Sequence, residues 1–374
     1  MNRFLRYAVL TVVLALVVHL ALGFGSRSFE AYCPFGGVES LWGLFTTGEF
    51  SCALGPLNLS FLVALLGLTL LCKKAFCGWV CPIGFLGDLA ARASGWAWKH
   101  RPPVPPRLNR ALKLLRYVVL AVSLFFTYRA GELVLRGYDP YFLIFSGFGH
   151  GSAGLLSVFV LAGILIGMAI IPMMFCRYLC PLGAVFDPFS RLGLLRISRD
   201  PAKCTGCGRC ARACLHDIPV PTLRTVRHRD CTQCLECLNA CPEKGALELR
   251  ARGTLRLPPW ALPVLASLAL TAGYFLRIPL TRPTSVQTFA EGTGVTTAFV
   301  VDGLRCKGTA AFLTSRYEET PGILQIETFA SERTAVFTYD PQRLNPSRIR
   351  EIMEAPIPFE DGTTQQVFRC VSPR

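Results

Sequence analysis

Two closely spaced runs of cysteine constrain this chain more than any other feature. Both runs, which lie between residues 204 and 242, have the spacing C-x2-C-x2-C-x3-C, and Pro242 follows the second. A [4Fe–4S] cluster takes four thiolates, and in two-cluster bacterial ferredoxins the fourth thiolate of each run ligates the other cluster. Zinc, the alternative, prefers ligands in two separated pairs, so this spacing favours clusters.

The sequence therefore predicts two [4Fe–4S] clusters with interleaved ligands. The first cluster is expected on Cys204, Cys207, Cys210 and Cys241, and the second on Cys231, Cys234, Cys237 and Cys214. Gly206 and Gly208 allow the first loop to wrap closely. The first run ends in Cys214-Leu215 instead of Cys-Pro, which departs mildly from the bacterial pattern.

Long apolar stretches indicate a membrane protein. Charged residues make up 17% of the chain, below the roughly 25% of an average soluble domain. Five stretches approach the roughly 20 residues that cross a bilayer: 4–24, 56–72, 112–128, 155–175 and 257–276. The first is expected to be an anchor and not a signal peptide, because its apolar run is long and no A-x-A follows. Lys113 and Arg116 in the third could snorkel to the interface.

The distribution of positive charge predicts the orientation. The net charge is +15, and the basic residues concentrate between the second and third stretches and after the fourth. The positive-inside rule therefore places the N-terminus and segment 176–256 in the cytoplasm. The fifth stretch then carries the C-terminal domain across a bacterial inner membrane. Because topology explains the charge, it does not indicate a nucleic-acid partner, and because most of the 17 cysteines should face the cytoplasm, they are expected to bind metal instead of forming disulfides.

A Cys-x3-Cys-Pro motif follows both the second and the fourth stretch, which indicates a duplicated pair of helices. Aligning Cys77 with Cys176 matches five further residues at a constant offset, namely Phe76, Cys81, Pro82, Gly84 and Asp88 with Phe175, Cys180, Pro181, Gly183 and Asp187. The loops before these stretches share a Cys-Pro or Asp-Pro signal, at 32–42 and 138–149. Internal repeats tend to place a site at their interface, so Cys77, Cys81, Cys176 and Cys180 are candidates for a third redox or metal site. Alternatively, these thiols only pack the helix ends.

Residues 296–374 predict a small α+β domain. Strands are expected at 296–303, 323–330, 333–340 and 365–372, with helices at 306–319 and 346–355, the βαββαβ order of a ferredoxin-like sandwich. The segment Gly303–Cys306 resembles the heavy-metal-associated domain, whose paired thiolates suit Cu(I). Thr309 stands where the second thiol is expected, so Cys306 is a weak metal candidate, with Cys370 as a further thiol, and a purely structural domain is the alternative.

Five other residues give minor expectations. Cys33 and Cys52, in the first outer loop, could form a disulfide in an oxidising compartment. Cys72 is expected to be a packed thiol. His19 and His150 are weak candidates for haem ligands, and ordinary polar contacts explain them better.

Residues 1–256 together resemble the NapH/NosR-type polyferredoxin membrane proteins, through the apolar spans, both Cys-x3-Cys-Pro motifs and the twin cysteine runs. The resemblance implies electron transfer of the kind that supports nitrate or nitrous-oxide respiration, or, in relatives of the oxidase-assembly type, copper reduction. The expected architecture is an α-helical membrane protein with about five transmembrane helices. It comprises a membrane domain (1–190), a two-cluster ferredoxin domain (191–256), a transmembrane helix (257–278), a linker (279–295) and a heavy-metal-associated-like domain (296–374).

The function expected from these features is a membrane-bound iron–sulfur protein, as a redox carrier or a subunit of an oxidoreductase. It would relay electrons between a cytoplasmic protein or quinol donor and an acceptor at the membrane or in the periplasm. Two alternatives stay open. One is a metal-handling protein that reduces copper, and the other is a non-redox assembly scaffold.

Overall fold

The structure is a computed structural model that describes residues 2–22, 34–46, 48, 54–97, 104–130, 138–145, 155–251, 255–275, 283–290, 292–358 and 364–373. The chain divides into two compact units. The first comprises Met1–Phe35, Ser60–Phe125 and Val134–Leu276, and the second comprises Gly36–Leu59, Phe126–Leu133 and Arg277–Arg374. The cysteine runs and both Cys-x3-Cys-Pro motifs belong to the first unit.

Helices account for most of the chain before residue 193. They are α1 (Asn2–Ala21), α2 (Pro34–Thr46), α3 (Gly55–Cys72), α4 (Ala75–Trp79), α5 (Pro82–Ala97), α6 (Pro106–Ala130), α7 (Pro140–Phe145), α8 (Leu155–Ile170), a π-helix (Phe175–Leu179) and α9 (Pro181–Leu192). A further apolar helix, α12 (Ala261–Phe275), follows the cysteine runs. Helices α2 and α7 lie where the sequence predicts outer loops, and each begins at a proline, whose fixed φ suits the first helical position.

Each of the five predicted apolar stretches contains a helix. Within the described residues, three are long and apolar enough to cross a membrane: Arg3–Ala21, Gly55–Cys72 and Pro106–Arg129. The helices at Leu156–Ile170 and Ala261–Phe275 are shorter. The fourth ends before the predicted residue 175, because Pro172 cannot donate a helical hydrogen bond and Met173 adopts a φ of +56°.

The two motifs share a wide backbone turn. The Cys81 N–H donates to the Phe76 carbonyl at 2.9 Å, and the Cys180 N–H donates to the Phe175 carbonyl at 2.8 Å. Hydrogen bonds from an N–H group to the carbonyl five residues earlier are rare in proteins, and those that do occur often lie at functional sites. The proline after each pair of cysteines begins the next helix, α5 or α9.

The cysteine-run region is closed by strands at its two ends. Strand β1 (Leu195–Arg199) pairs antiparallel with β2 (Leu247–Ala251), which also pairs with β3 (Leu255–Arg256). Between them lie two one-turn helices, α10 (Arg209–Arg212) and α11 (Glu236–Asn239), and a 3-10 turn at Val220–Thr222.

The second unit contains a five-stranded antiparallel sheet, in the order β10-β5-β7-β6-β4. The elements are β4 (Ser285–Thr288), β5 (Val295–Asp302), α13 (Lys307–Ser315), β6 (Ile323–Phe329), a 3-10 turn (Ala330–Glu332), β7 (Thr334–Tyr339), α14 (Pro346–Glu354), the short pair β8 (Ile357–Pro358) and β9 (Thr364–Gln365), and β10 (Arg369–Pro373). The core includes Phe299, Leu313, Tyr317, Phe337 and Ile349, all buried.

The linker predicted over 279–295 is wrong in part. Strand β4 lies within it and pairs with β6, from Ser285 opposite Thr328 to Thr288 opposite Gln325. The four-residue stretch is too short to show a clear alternation, and only its pairing with β6 makes it a strand.

Cys72 is fully buried, as expected for a packed thiol. The predicted disulfide partners Cys33 and Cys52, and His150, lie outside the described residues. His19 is on α1, and its suggested role as a haem ligand stays a prediction.

Candidate functional site

The first cysteine run forms an open loop at the surface. Gly206 and Gly208 both have a φ of +71°, in the left-handed region that glycine enters at little cost. Cys207, between them, is exposed. A partly open cavity lies at this loop, and its lining includes Cys204, Cys207, Cys210 and Cys241. The cavity thus gathers the four cysteines that the spacing predicts for the first cluster.

The chemistry of this cavity suits a cluster. A four-iron cluster takes four cysteine thiolates, and four cysteines line this cavity. The backbone N–H of Gly206 and the Arg199 guanidinium lower the pKa of Cys204. A lower pKa favours the thiolate, which is the form that binds metal.

The second cysteine run has the same backbone shape but lies inside the unit. Gln233 and Leu235 replace the two glycines and have φ values of +50° and +61°, a conformation that costs a residue with a Cβ roughly 1–2 kcal/mol. Neighbouring groups hold the loop in place. The Trp79 indole N–H donates to the Gln233 carbonyl at 2.9 Å, and the Gln233 amide donates to the Leu195 carbonyl. Leu235 is fully buried.

Helix α4, which carries Cys77, lies directly against this second loop. A Cβ added at Gly78 would collide with the carbonyl oxygen of Thr232, the residue that follows Cys231. Only glycine at position 78 therefore allows the first motif and the second run to approach so closely.

The fourth cysteine of each run lies beside the other run. Burial, together with the nearby thiolates of Cys234 and Cys231, raises the pKa of Cys214 to about 12. The thiolates of Cys241 and Cys204 act in the same way on Cys210. The two predicted ligand sets are thus each brought together in the structure.

A buried cation next to the second run fits an anionic group there. The Lys73 side chain is fully buried, and its ammonium donates to the Ser190 carbonyl at 2.9 Å. Burial lowers the pKa of Lys73, and among the charges around it the Cys231 thiolate opposes this most strongly. Because a buried cation needs a neighbouring negative charge, the residues present fit a thiolate-bound cluster, which would supply that charge.

The four motif cysteines are also brought together. Burial raises the pKa of Cys176 well above its ordinary value, and the thiolates of Cys180, Cys81 and Cys77 raise it further. Three of these thiols contact an apolar cluster that contains Ile83, Phe145, Ile164, Met168 and Phe175. The prediction that the duplication gathers its four thiols therefore agrees with their positions.

Arg6 and Tyr7, near the start of α1, both bind α5, the helix that follows the first motif. Arg6 forms an ion pair with Asp88 of α5 at 2.9 Å, and the Tyr7 hydroxyl donates to the same carboxylate at 2.9 Å. Arg6 also forms an ion pair with Glu236 at 3.2 Å. Glu236 immediately precedes Cys237, so one guanidinium joins the first motif helix to the second cysteine run.

The equivalent pair on α6 repeats this arrangement in the second copy. Arg116 forms an ion pair with Asp187 of α9 at 2.8 Å, and the Tyr117 hydroxyl donates to Asp187 at 2.6 Å. Arg116 also binds Asp230 at 2.9 Å, and Lys113 binds Asp230 at 2.6 Å. Asp230 immediately precedes Cys231. The snorkelling expected for Lys113 and Arg116 is therefore wrong, since both are buried in ion pairs with the second run and its surroundings.

Sequence reasoning missed these two Arg-Tyr clamps, defined as Arg6-Tyr7 with Asp88 and Arg116-Tyr117 with Asp187. A signal was present, because residues 5–7 and 115–117 both read Leu-Arg-Tyr. The alignment of the two motifs also matches Asp88 with Asp187. Removing one partner of a buried ion pair costs about 3–5 kcal/mol, because the other charge is left uncompensated. Loss of a clamp residue should therefore disturb the packing around the second run.

Cys306 of the second unit lies in a loop closed by a hydroxyl group. The Thr309 hydroxyl accepts hydrogen bonds from the backbone N–H groups of Arg305 and Cys306, at 2.9 Å each, at the start of α13. The second thiol of a heavy-metal-associated loop is thus replaced by a cap. Cys370 is buried on β10, opposite Val301 of β5. A metal at Cys306 stays a prediction.

Family models agree with the duplication and with the cysteine runs. A 4Fe-4S binding domain model, Fer4_5, matches twice, at residues 54–101 and 153–199, and a second 4Fe-4S binding domain model, Fer4, matches residues 197–214. The two Fer4_5 matches begin at positions separated by the same offset as Cys77 and Cys176. The duplicated helix pair stays a prediction, and these two matches support it.

Three relatives extend the comparison. The chain is 32% identical to the "Putative electron transport protein YccM" of Escherichia coli over 226 residues, 58% of this chain and 62% of that protein. It is 32% identical to the "Uncharacterized protein MJ0750" of Methanocaldococcus jannaschii over 188 residues, 50% of this chain and 76% of that protein. It is 28% identical to the "Ferredoxin-type protein NapH" of E. coli over 204 residues, 50% of this chain and 64% of that protein. The chain thus spans less than two thirds of YccM and NapH. No solved structure matches it.

The duplicated motif helices and the twin cysteine runs define a ferredoxin-type protein with apolar helices suited to a membrane. Two 4Fe-4S binding domain models match it, and MJ0750, of which it covers 76%, is 32% identical to it. The chain belongs to the family of NapH-type polyferredoxins.

Proposed function

We propose that this protein is a membrane-bound electron-transfer protein that carries two [4Fe–4S] clusters on its twin cysteine runs. The observation that carries the proposal is the cavity lined by Cys204, Cys207, Cys210 and Cys241, because it gathers three cysteines of one run with the last cysteine of the other. That combination is the interleaved pattern of two-cluster ferredoxins. The second cluster would be held by Cys231, Cys234, Cys237 and Cys214.

Such clusters supply one-electron transfer when bound, and the chain's own residues provide the rest. Arg199 and backbone N–H groups favour the thiolate of the first set, and buried Lys73 offsets negative charge at the second. The printed names of YccM and NapH, an electron transport protein and a ferredoxin-type protein, support this role. The donor and acceptor would be a cytoplasmic protein or quinol at one end and a membrane or periplasmic partner at the other.

We further propose that Cys77, Cys81, Cys176 and Cys180 form a third redox site. Its support is the convergence of four thiols at the interface of the duplicated halves. The packing of Gly78 against Thr232 brings this site next to the second run, as a continuous electron path requires.

The membrane arrangement belongs to the same proposal. Five helices would cross the bacterial inner membrane, with the two shorter ones completed by flanking residues. The predicted domain divisions at residues 190 and 256 are kept, and the C-terminal domain is extended to include β4. The cysteine runs would lie on the cytoplasmic side and the ferredoxin-like βαββαβ domain outside. The sheet order β10-β5-β7-β6 supports the ferredoxin-like arrangement of that domain.

The test is an iron and acid-labile sulfide count on anaerobically purified protein, paired with EPR of the dithionite-reduced sample. Two clusters predict about eight irons and a reducible S=1/2 signal. A Cys77→Ser/Cys176→Ser variant separates the third site. About twelve irons falling to about eight would make it a cluster, and about eight in both would mean that these thiols ligate no cluster. A protein without the EPR signal would overturn the electron-transfer proposal.

A further inference from the structure

The first cysteine run is accessible to a soluble protein. Residues 205–207, which include the ligand Cys207, are all exposed. The cavity lined by the first ligand set is partly open to solvent. Electron transfer between proteins requires that one redox centre approach another closely. The first cysteine run is therefore suited to transient binding of a soluble redox partner.

Positive side chains surround that opening. Lys203, Arg209 and Arg212 are exposed, and the Arg212 guanidinium donates to the Cys207 carbonyl at 3.2 Å, which fixes it at the loop. Two carboxylates lie nearby. Asp200 is 3.7 Å from Lys203, a distance at which an exposed pair contributes little, and Glu243 lines the cavity. We name the three cations the basic rim.

The second cysteine run is covered by the rest of its unit. Residues 230–233 and 235–237 are buried. Trp79 and Gly78 lie over the loop, and Arg6 and Arg116 bind the acids next to two of its cysteines. A soluble partner has no comparable access to this run.

Gly78, which follows Cys77 of the first motif, packs against Thr232, which follows Cys231 of the second run. Two adjacent lysines bind α9, which follows the second motif: Lys73 donates to the Ser190 carbonyl, and Lys74 forms an ion pair with Asp187 at 2.6 Å. Both side chains are buried. The second run is thus the one whose neighbours are the membrane-side thiols.

We propose that the two runs form the two ends of a relay: the first-run site exchanges electrons with a soluble acidic carrier that docks on the basic rim, and the second-run site passes them to or from the motif cysteines. The proposal rests on the proposed function, in which both runs hold clusters. One electron moves between carrier and protein, and no bond forms or breaks. An acidic partner is favoured because a positive rim raises its rate of encounter, by 10-fold to 1000-fold at low salt.

The probe is an acidic flavodoxin, and the sample is the full chain in nanodiscs of neutral lipid. We expect the dissociation constant for flavodoxin to rise steeply with salt, as screening weakens the rim. The variant Lys203→Glu/Arg209→Glu/Arg212→Glu should weaken binding at low salt by about tenfold or more. It should also slow reduction of the protein by flavodoxin hydroquinone by a similar factor. The matched control, Arg343→Glu/Arg348→Glu/Arg350→Glu, makes the same change of charge at exposed positions of the second unit and should leave both quantities unchanged.

Wild-type affinity that ignores salt, or a rim variant that binds as tightly as wild type, would overturn the proposal. So would a rim variant that loses binding to anionic vesicles in a flotation assay while keeping its affinity for flavodoxin, since the rim would then contact lipid. EPR of the same preparations keeps the two proposals apart. A missing cluster signal contradicts the proposed function, whereas intact signals with unaltered docking contradict only this inference.

Discussion

The two cysteine runs reach the same loop conformation by different means. In the first, Gly206 and Gly208 adopt positive φ without strain, and the loop stays open to solvent. In the second, Gln233 and Leu235 adopt the same conformation only because Trp79, Leu195 and close packing hold them there. Residue type determines the conformation of the first loop, and the surrounding structure determines the conformation of the second.

The thiols differ in the same sense. At equivalent positions, a backbone N–H and Arg199 lower the pKa of Cys204, whereas burial raises the pKa of Cys231 to about 11. The first loop thus depends less on its surroundings, whereas the second depends on the helices around it. Substitutions in those helices should therefore affect one site and spare the other.

The largest expected effect comes from breaking the second Arg-Tyr clamp. Arg116→Ala removes a buried cation from both Asp187 and Asp230, which costs about 3–5 kcal/mol. We expect loss of the second cluster, about four irons, in an iron and sulfide assay, while the first cluster's EPR signal remains. The iron content of Arg116→Lys should lie between those of Arg116→Ala and wild type.

The matched control for this variant is Arg212→Ala, which removes an exposed arginine beside the first run. It should keep its full iron content. Equal iron in Arg116→Ala and wild type would show that the second run does not depend on the clamp.

A steric change at Gly78 should impair the second cluster and leave the first cluster intact. The methyl group of Gly78→Ala would meet the Thr232 carbonyl oxygen and push the second loop away from α4. We expect impaired loading of the second cluster, with about half of the iron lost, and a normal first cluster. Gly67→Ala is the control, because nothing lies within 4 Å of its added Cβ. Identical EPR spectra for the two variants would refute the close approach.

Cluster loading should depend on pH in two steps. Ligands must lose their protons to bind metal. The lowered pKa of Cys204 keeps its thiolate available as the pH falls, whereas Cys231, with its pKa raised to about 11, remains protonated through neutral pH. In anaerobic reconstitution of the apoprotein, the first site should load at lower pH than the second. The measurement is iron bound per chain, with EPR, at a series of pH values, and simultaneous loading of both sites would contradict the difference between the runs.

The smallest effect is expected at the first loop. Gly206→Ala puts a Cβ at a φ of +71° with open space around it, so it costs only backbone strain, roughly 1–2 kcal/mol. The first cluster should still assemble but release its iron to a chelator several-fold faster. Release at the wild-type rate would indicate that this loop does not need glycine.

Local pattern explains what the sequence could predict. Cysteine spacing identified both interleaved sets, because cluster ligation is largely encoded within each run, and the constant offset between Cys77 and Cys176 identified the duplication. Helices were expected in all five apolar stretches, but their ends depended on details such as Pro172 and Met173.

Long-range pairing explains what the sequence could not predict. The repeated Leu-Arg-Tyr was visible, but nothing local indicates that Arg116 binds Asp187 and Asp230, since those contacts exist only once α6, α9 and the second run are packed. Strand β4 is likewise defined by its partner β6. The positive φ of Leu235 could not be expected from a residue that disfavours it.

The most direct test of the contrast between the runs is EPR relaxation of the reduced protein with a soluble gadolinium chelate. Two cluster signals are predicted, one relaxed strongly by the chelate and one protected. The relaxed signal should disappear in Cys207→Ser, and the protected signal in Cys231→Ser. Equal relaxation of both signals, or loss of the relaxed signal in Cys231→Ser, would contradict an exposed first site and a covered second one.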